Sequence, residues 1–382
     1  MAKTLRQQPN GRWKAGYTGP DRKWRYKTHD TKAVAERWQR DQMVAMDRGE
    51  WIDPNARRTS VAEIGNRWFE TTANLKPKTR EGYESLLRVH ILPTFGAWRI
   101  SDVDRASVRS WVSRLQADGL SPSRTRQARG VLSQVLEFAV ESGASKANPA
   151  RGIRVVGGPT REMLFLDADQ VSRLAGEAEA NGAGSGTLVY LLAYAGLRWG
   201  EATALRRGRC DILRSRILIR ESVSTVNGKL HFGPTKTHKE RVIVLPGFLR
   251  DRLASHLAEG VLDDPDALVF HDSRGDALRN SNWRFRVWKP ACDASGMPDG
   301  LRIHDLRHTA ASLLVSAGAN VKAVQRHLGH SSASMTLDRY AHLFTDDLEA
   351  LADQLDLVFA QSNASSARPA VLEPLFDFAG VG

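Results

Sequence analysis

Four segments in the second half of the chain carry side chains suited to chemistry on a phosphodiester. Two guanidinium groups can grip the non-bridging oxygens of a phosphate and stabilise a pentavalent transition state. A lysine or histidine can protonate a leaving hydroxyl, and a tyrosine can attack phosphorus to form a covalent intermediate. The segments are AGLRWGE with Arg198 and Glu201, GPTKTHK with Lys236, HDLRH with His304 and Arg307, and LGH followed by MTLDRY with His330 and Tyr340. This chemistry needs no metal, so we expect no cofactor.

The elements that must position these residues follow from local patterns. A strongly apolar run over 188–195 predicts a helix that ends near Gly196. An arginine partly buried after that helix needs a fixed carboxylate or a ligand anion, and Glu201, three residues after Arg198, is placed to supply it. His304 and Arg307, also three apart, lie beside the apolar stripe of a second helix. Strands are predicted at 216–221, 229–232 and 241–245, with a hairpin turn at Asn227-Gly228.

Charge and composition indicate a partner for this chemistry. The 382 residues include 55 Lys and Arg against 43 Asp and Glu, a net charge of +12. This excess predicts a polyanionic partner, with nucleic acid ahead of an anionic membrane surface. Two cysteines exclude a disulfide scaffold and a four-cysteine zinc site. We expect a cytoplasmic protein without a membrane anchor, because no run of 18 apolar residues and no secretory signal is visible.

The first 28 residues hold eight basic residues and one acid, interleaved with four aromatic residues. Short strands around Gly19-Pro20-Asp21, followed by a helix to about Arg48, predict a small sheet whose basic face inserts into a DNA groove. The alternative is a solvated hairpin packed on one helix. The linker at 53–58 leads into a helical segment with apolar stripes and a second set of basic residues, which ends before a linker at 157–159. The candidate DNA-binding residues are Arg12, Lys14, Arg22, Lys23, Arg25, Lys27, Lys76, Lys78, Arg124, Arg126 and Arg129.

The histidine spacings leave a metal site open as an alternative. His304 and His308 are four apart, and His327 and His330 are three apart, which are spacings that can bind zinc on helices. Arg307 lies between the first two and would repel a cation, and no cysteine or acidic cluster completes a site. We therefore expect no metal.

Taken together, the four segments resemble the tyrosine recombinase family, of the heterobivalent phage or prophage integrase type. The family's arrangement is Arg…Lys…His-x-x-Arg…His/Trp…Tyr, and the chain supplies all six residues in order. The resemblance implies that Arg198 and Arg307 clamp the scissile phosphate and that Glu201 supports Arg198. It also implies that Lys236 is the general acid to the 5′-hydroxyl, with Lys239 as the rival for that role.

By the same resemblance, His304 assists proton transfer and phosphate binding, and His330 hydrogen-bonds the phosphate. Tyr340 forms the 3′-phosphotyrosyl link. Each residue also has a plainer interpretation: Tyr340 as a core tyrosine, His330 as a helix-cap partner, and Arg198 as a structural ion pair with Glu201.

The resemblance implies a multidomain fold, mainly α with small β-sheets. Residues 1–55 would form an arm-type DNA-binding domain with a small β-sheet and a helix. Residues 58–152 would form an all-α, SAM-like core-binding domain, and residues 163–360 an α+β catalytic domain. Residues 361–382, rich in alanine, serine and proline, are expected to form a flexible tail.

The implied function is site-specific recombination that integrates and excises mobile DNA. The implied partners are double-stranded DNA with core-type and arm-type sites, a homotetramer on DNA, and accessory DNA-bending or directionality factors at the host nucleoid. Three alternatives stay open at this point: a chromosome or plasmid resolvase or transposon recombinase with the same chemistry, a type IB topoisomerase, and a DNA-binding protein without catalysis.

Overall fold

The computed structural model describes residues 3–48, 51, 53, 58–158, 162–236, 239–344, 352, 355–357 and 359–360. The chain divides into two compact units, one of residues 1–162 with 224–231 and the other of residues 163–223 with 232–382. The tail expected at 361–382 and most of the linker expected at 53–58 lie outside the described residues. The separation of residues 1–55, 58–152 and 163–360 into three domains stays a prediction.

The first unit begins with a three-stranded antiparallel sheet and one helix. The strands are β1 (Lys3–Gln7), β2 (Trp13–Thr18) and β3 (Trp24–His29), with β2 in the middle, and the helix is α1 (Lys32–Asp47). The expected strands around Gly19-Pro20-Asp21 and the expected helix are confirmed. The side chain of Thr31 caps α1 by accepting a hydrogen bond from the backbone of Val34. Tyr17 packs against Trp38 of the helix.

Residues 58–158 of the first unit are mainly helical and surround their own apolar core. The helices are α2 (Val61–Glu70), α3 (Pro77–Leu86), α4 (Leu92–Phe95), α5 (Arg105–Ala117) and α6 (Pro122–Glu141), with a π-helical turn at Leu87–Ile91 between α3 and α4. Ser60 and Glu63 form a capping box at the start of α2. The apolar stripes expected on α5 and α6 are confirmed, since Val108, Trp111 and Val131 are buried in this core.

The second unit joins helices to small sheets. Its helices are α7 (Ala168–Asn181), α8 (Ser185–Tyr194), α9 (Trp199–Ala202), α10 (Gly247–Gly260), α11 (Asn280–Trp283), α12 (Lys289–Ala294), α13 (Asp305–Ser316), α14 (Val321–Leu328) and α15 (Ala333–Tyr340). Every residue of α8 except Tyr194 is buried, as its apolar sequence predicts, and the core extends over its neighbours α7 and α13.

The strands of the second half are β4 (Cys210–Asp211), β5 (Arg216–Ile219), β6 (Glu221–Val226), β7 (Lys229–Pro234) and β8 (Arg241–Val244). They form one antiparallel sheet in the order β4-β5-β8 and a separate pair, β6-β7. The run expected as one strand over 216–221 is therefore two strands, because the chain leaves the first sheet after Ile219 and pairs elsewhere. The expected turn at Asn227-Gly228 is confirmed, with φ of +47° and +75° as a type I′ hairpin requires.

Across the described ranges, none of the helices combines the length and the apolar character needed to span a bilayer.

Candidate active site

Arg198 and Glu201 are fixed to each other at the short helix α9. After α8 the chain turns at Gly196, whose φ of +62° lies in the left-handed region. Glu201 Oε2 then accepts a hydrogen bond from the backbone N–H of Arg198 at 2.9 Å, and Oε1 accepts one from Arg198 Nη1 at 2.7 Å. Glu201 is 1% exposed, whereas part of the Arg198 side chain reaches solvent. The carboxylate thus orients the guanidinium and leaves some of its N–H groups accessible.

Arg241, which the sequence analysis did not select, is a second cation on the same carboxylate. Its Nη2 donates to Glu201 Oε2 at 2.7 Å, its Nη1 to Oε1 at 3.1 Å, and its Nε to the carbonyl of His327 at 3.3 Å. Burial alone would raise the pKa of Glu201, but hydrogen bonds and charge from Arg241 and the charge of Arg198 lower it to about 2. In the sequence, the only signal for a special role of Arg241 is that this basic residue begins an otherwise apolar strand.

Arg307 lies in the first turn of α13 and is 3% exposed. Its Nη1 donates to the carbonyl of Gly196 and its Nη2 to the carbonyl of Leu328 at 2.6 Å. Its neighbour Asp305 is paired with Arg302 at 2.6 Å instead, and among the described residues no carboxylate forms an ion pair with Arg307. Burial and then the charge of Arg198 lower the pKa of Arg307 to about 9, so it stays a cation at neutral pH.

Tyr340 is the last residue of α15, and its side chain contacts α13. It is 1% exposed, and its hydroxyl lies 2.8 Å from His308 Nδ1. Its ring is stacked on that of His330, with centroids 6.2 Å apart. Burial raises the pKa of Tyr340, while the charges of Arg307 and Arg339 act in the opposite direction. His308, considered from the sequence only as one half of a zinc pair, is thus the hydrogen-bond partner of the expected nucleophile.

His330 lies beside the ring of Tyr340, and His304 lies beside His308. His330 follows Gly329, the left-handed residue that ends α14, and its Nδ1 lies 2.9 Å from the hydroxyl of Thr336. Burial and then the charges of Arg307 and nearby arginines lower the pKa of His330 to about 4, so its imidazole is neutral at pH 7. His304 is the residue before α13, and its ring centroid lies 5.1 Å from that of His308.

Lys236 is the expected catalytic residue that the structure does not bring into contact with the others. It is exposed in the segment after β7, next to residues 237–238, which are outside the described ranges. Within those ranges, no hydrogen bond or ion pair joins its side chain to the arginines or histidines. Lys239, the rival general acid, is also exposed; its carbonyl accepts a hydrogen bond from the hydroxyl of Thr235 at 3.0 Å.

The histidine pairs considered for zinc have other partners. His308 contacts the hydroxyl of Tyr340, and His327 Nε2 lies 3.2 Å from the carbonyl of Tyr194. Over the residues that the structure describes, no group of three or more His, Cys, Asp or Glu side chains is arranged to hold a metal ion.

The basic residues of the N-terminal sheet lie on both of its faces. Arg25 is directly opposite Tyr17 in the strand pairing and so faces α1. Its guanidinium pairs with Asp21 and with Asp53, each at 2.7 Å, and lies over the ring of Trp51. Arg25 was expected to contact DNA, but these internal partners already occupy it. Lys27 lies on the same side of the sheet and is exposed.

The other face of this sheet is open to solvent and combines aromatic and basic side chains. Trp24 is 50% and Tyr26 67% exposed, and Lys14 Nζ lies 3.7 Å from the centre of the Tyr26 ring. Arg6 of β1 is paired with Lys14 and shares this face. The remaining expected residues lie in the connecting turns, namely Arg12, which pairs with Asp30 at 2.8 Å, and the exposed Arg22 and Lys23. We call Arg6, Lys14, Trp24 and Tyr26 the outer face.

The expected DNA-binding residues of the helical part differ in exposure. Lys76, Lys78 and Arg126 are exposed, and Lys78 pairs with Glu81 at 2.6 Å. Arg124 is half-buried and donates to Ser85 Oγ at 3.3 Å. Arg129 is also half-buried, and its Nε is enclosed without a hydrogen-bond partner among the described residues.

Comparisons with known proteins agree with this fold. Residues 164–346 match the family described as phage integrase family, and residues 61–155 match the phage integrase central domain. The chain is 30% identical to a putative prophage phiRv2 integrase of Mycobacterium tuberculosis over 348 residues, which cover 88% of this chain and 90% of that protein.

Two solved structures share the fold at low sequence identity. The Tn1549 transposon integrase in complex with a circular intermediate DNA aligns with a TM-score of 0.67 at 21% identity, over 77% of this chain and 99% of that one. A lambda integrase tetramer bound to a Holliday junction aligns with a TM-score of 0.57 at 18% identity, over 86% and 96%.

The fold is that of a multidomain tyrosine recombinase, mainly helical with small sheets, which confirms the expected fold class. The prophage integrase relative matches over most of both chains. The chain therefore belongs to the phage integrase family, and it is a tyrosine site-specific recombinase.

Proposed function

We propose that this recombinase integrates and excises mobile DNA, such as a phage or prophage genome, through a 3′-phosphotyrosyl intermediate on Tyr340. The observation that carries the proposal is the buried cation of Arg307, which forms no ion pair with a carboxylate among the described residues and lies on the helix that packs against Tyr340. A buried cation is costly unless an anion compensates it. A scissile phosphate held by Arg307 and by the accessible N–H groups of Arg198 would be that anion.

In the proposed step, the phenolic oxygen of Tyr340 forms a bond to phosphorus while the bond from phosphorus to the 5′ oxygen breaks. Arg198 and Arg307 neutralise the charge that develops on the non-bridging oxygens. The leaving 5′ oxygen takes a proton from Lys236, or from Lys239 if that residue has the role. His304 and His330 contact the phosphate. Rejoining reverses these transfers with a 5′-hydroxyl as the nucleophile, so the phosphodiester bond energy is conserved.

We propose that residues 58–152 and 163–360 bind core-type DNA sites and that residues 1–55 bind arm-type DNA sites. The outer face supports the second part, because basic side chains that can contact phosphates lie beside exposed aromatic rings on one surface of the sheet. Four protomers on two duplexes, with accessory bending or directionality factors at the host nucleoid, complete the proposal. The tetramer of lambda integrase on a Holliday junction supports the assembly.

A covalent trap tests the nucleophile. Wild type and Tyr340→Phe are incubated with a library of nicked duplexes of random sequence, denatured in SDS, and the DNA that stays attached is sequenced. We expect adducts with wild type and none with Tyr340→Phe, and the recovered sequences define the core site. Adducts should also form in EDTA, since the proposed chemistry uses no metal.

The matched control is Tyr194→Phe, which removes the hydroxyl of a half-buried tyrosine in the same unit and should form adducts as wild type does. Adducts with Tyr340→Phe would assign the nucleophile to another residue. The absence of adducts with all three proteins, despite salt-sensitive DNA binding, would contradict cleavage by this chain acting without a partner.

A further inference from the structure

We propose that His308 accepts the phenolic proton of Tyr340 when the tyrosine attacks phosphorus. This assigns a catalytic role to a residue outside the six-residue set, and it rests on the proposed role of Tyr340 as the nucleophile. The carrying observation is geometric: His308 Nδ1 lies 2.8 Å from the Tyr340 hydroxyl, and both side chains are buried. A general base must lie within hydrogen-bond reach of the proton that it removes.

The other candidate bases are engaged elsewhere or lack this contact. The ring of His330 lies parallel to that of Tyr340 with centroids 6.2 Å apart, and its Nδ1 lies 2.9 Å from the hydroxyl of Thr336. His304 lies edge-on to His308 and forms no hydrogen bond with Tyr340. Across the residues that the structure describes, His308 is the one side chain hydrogen-bonded to the tyrosine oxygen. The proton therefore has a direct path to His308.

The surroundings of His308 keep its imidazole neutral at pH 7. Burial, and then the positive charges that neighbouring side chains carry, lower the pKa of His308 to about 4, while the carboxylate of Asp305 acts in the opposite direction. The titratable and charged groups around it are His304 and Asp305 on α13, Arg302 before that helix, and Arg339 and Tyr340 on α15. A neutral imidazole with its proton on Nε2 presents the Nδ1 lone pair to the phenol.

The position of His308 in the chain couples the base to the phosphate clamp. It follows Arg307 directly in the first turn of α13, so the residue that holds the phosphate and the residue that holds the nucleophile share one rigid element. Phe165 lies edge-on to the His308 ring, with centroids 6.5 Å apart. In the forward step the proton moves from the Tyr340 oxygen to His308 Nδ1 as the oxygen–phosphorus bond forms. In the rejoining step His308 returns it to the departing phenolate.

The test uses the core site recovered by the covalent trap and measures single-turnover adduct formation at saturating enzyme. His308→Asn keeps a hydrogen-bond acceptor near the Nδ1 position but cannot take a proton, and His308→Ala removes both. We expect both variants to form adducts about 100- to 1,000-fold more slowly at pH 7, with DNA affinity unchanged. Their rates should rise about tenfold per pH unit from pH 7 to 9, as ionisation of the phenol replaces the lost base. The wild-type rate should stay nearly flat.

A second substrate separates the base from the general acid. A 5′-bridging phosphorothiolate supplies a leaving group that needs no proton, so it should restore adduct formation by Lys236→Ala or Lys239→Ala, whichever removes the acid. It should not restore adduct formation by His308→Asn, because the phenol still has to lose its proton.

Three results would overturn the inference. Wild-type or faster cleavage by His308→Asn would show that the hydrogen bond only holds the Tyr340 hydroxyl in place before the reaction and that His308 takes no proton from it. A slower rate of adduct formation that does not change with pH would show that His308 acts through structure alone. Restoration of the His308→Asn rate by the phosphorothiolate would show that His308 instead helps to protonate the leaving 5′ oxygen. Adducts with Tyr340→Phe would instead overturn the proposed function, so the two failures are distinguishable.

Discussion

Glu201 and Arg241 form a bidentate ion pair, with Nη2 to Oε2 at 2.7 Å and Nη1 to Oε1 at 3.1 Å. Because the same carboxylate also accepts two hydrogen bonds from Arg198, Arg241 fixes the carboxylate that orients Arg198, the arginine proposed to bind the phosphate. Arg307 interacts electrostatically with Arg198, Arg241 and Glu201. Three guanidinium groups around the Glu201 carboxylate leave an excess of positive charge, which the proposed phosphate would compensate.

Removal of the Glu201 charge should destabilise the second unit strongly. Glu201→Gln leaves the partly buried guanidinium groups of Arg198 and Arg241 without the buried counter-charge of Glu201, so we expect the free energy of unfolding to fall by about 3 kcal/mol or more. Urea unfolding followed by circular dichroism measures this. The matched control is Glu240→Gln, which breaks an exposed ion pair with Arg220 and should cost less than about 1 kcal/mol. Equal losses in the two variants would contradict the buried-charge argument.

The buried histidines should make the protein acid-labile. The pKa values of His308 and His330 are about 4 in the folded chain against an ordinary 6.5. As the pH falls, the unfolded state binds these protons first, so stability is full above pH 6.5 and declines through the window down to pH 4. Each histidine contributes on the order of 3 kcal/mol to that decline.

Urea midpoints between pH 7.5 and 4.5 measure this dependence. The variant with both His308→Asn and His330→Asn should have a flatter profile over that window, whatever its stability at pH 7.5. An unchanged slope in the double variant would assign the acid lability to other groups.

Two glycines that end neighbouring helices should respond differently to alanine. Gly318 and Gly329 both have φ in the left-handed region, at +83° and +67°, so each Gly→Ala change should cost about 1–2 kcal/mol of strain. A Cβ at Gly318 would meet nothing within 4 Å, but one at Gly329 would lie 2.9 Å from Arg241 Cδ. We expect Gly329→Ala also to displace Arg241 and slow adduct formation at least tenfold, while Gly318→Ala retains the wild-type rate. Equal rates would show that the site tolerates movement of Arg241.

The two faces of the N-terminal sheet should separate DNA binding from folding. Lys14→Ala on the outer face should weaken binding to a selected arm-type duplex and reduce the slope of log affinity against log salt by about one, without changing thermal stability. Arg25→Ala should lower thermal stability, because it removes pairs to Asp21 and Asp53.

Lys27→Ala is the control, because it removes one positive charge from the helix-facing side. We expect Lys27→Ala to change the slope of log affinity against log salt less than Lys14→Ala does. Fluorescence anisotropy at several salt concentrations, together with thermal melts, gives both readouts. A larger loss of affinity with Lys27→Ala than with Lys14→Ala would reverse the assignment of the faces.

Local sequence patterns predicted much of the framework. The strands around Gly19-Pro20-Asp21, the helix that follows them, the apolar helix before Gly196 and the turn at Asn227-Gly228 are confirmed. Each of these depends on interactions within a few residues, such as helical periodicity, a capping hydroxyl or the left-handed φ of a turn residue. The prediction of one strand over 216–221 was wrong, because the strand is interrupted at Arg220. The position at which β5 ends depends on its pairing with β8, which lies further along the chain.

The class of chemistry can be read from the sequence, since the order of arginine, lysine, histidine and tyrosine residues is a property of the chain. The sequence also determined that Arg198 and Glu201 meet, because they lie within one helical turn. By contrast, the contact of Arg241 with Glu201 and that of His308 with Tyr340 arise from the packing of the folded chain, over separations of 40 and 32 residues. The same packing decided that Arg25 faces inward while Lys14 faces out. No local period encodes such contacts, because they depend on which helix or strand face packs against which neighbour.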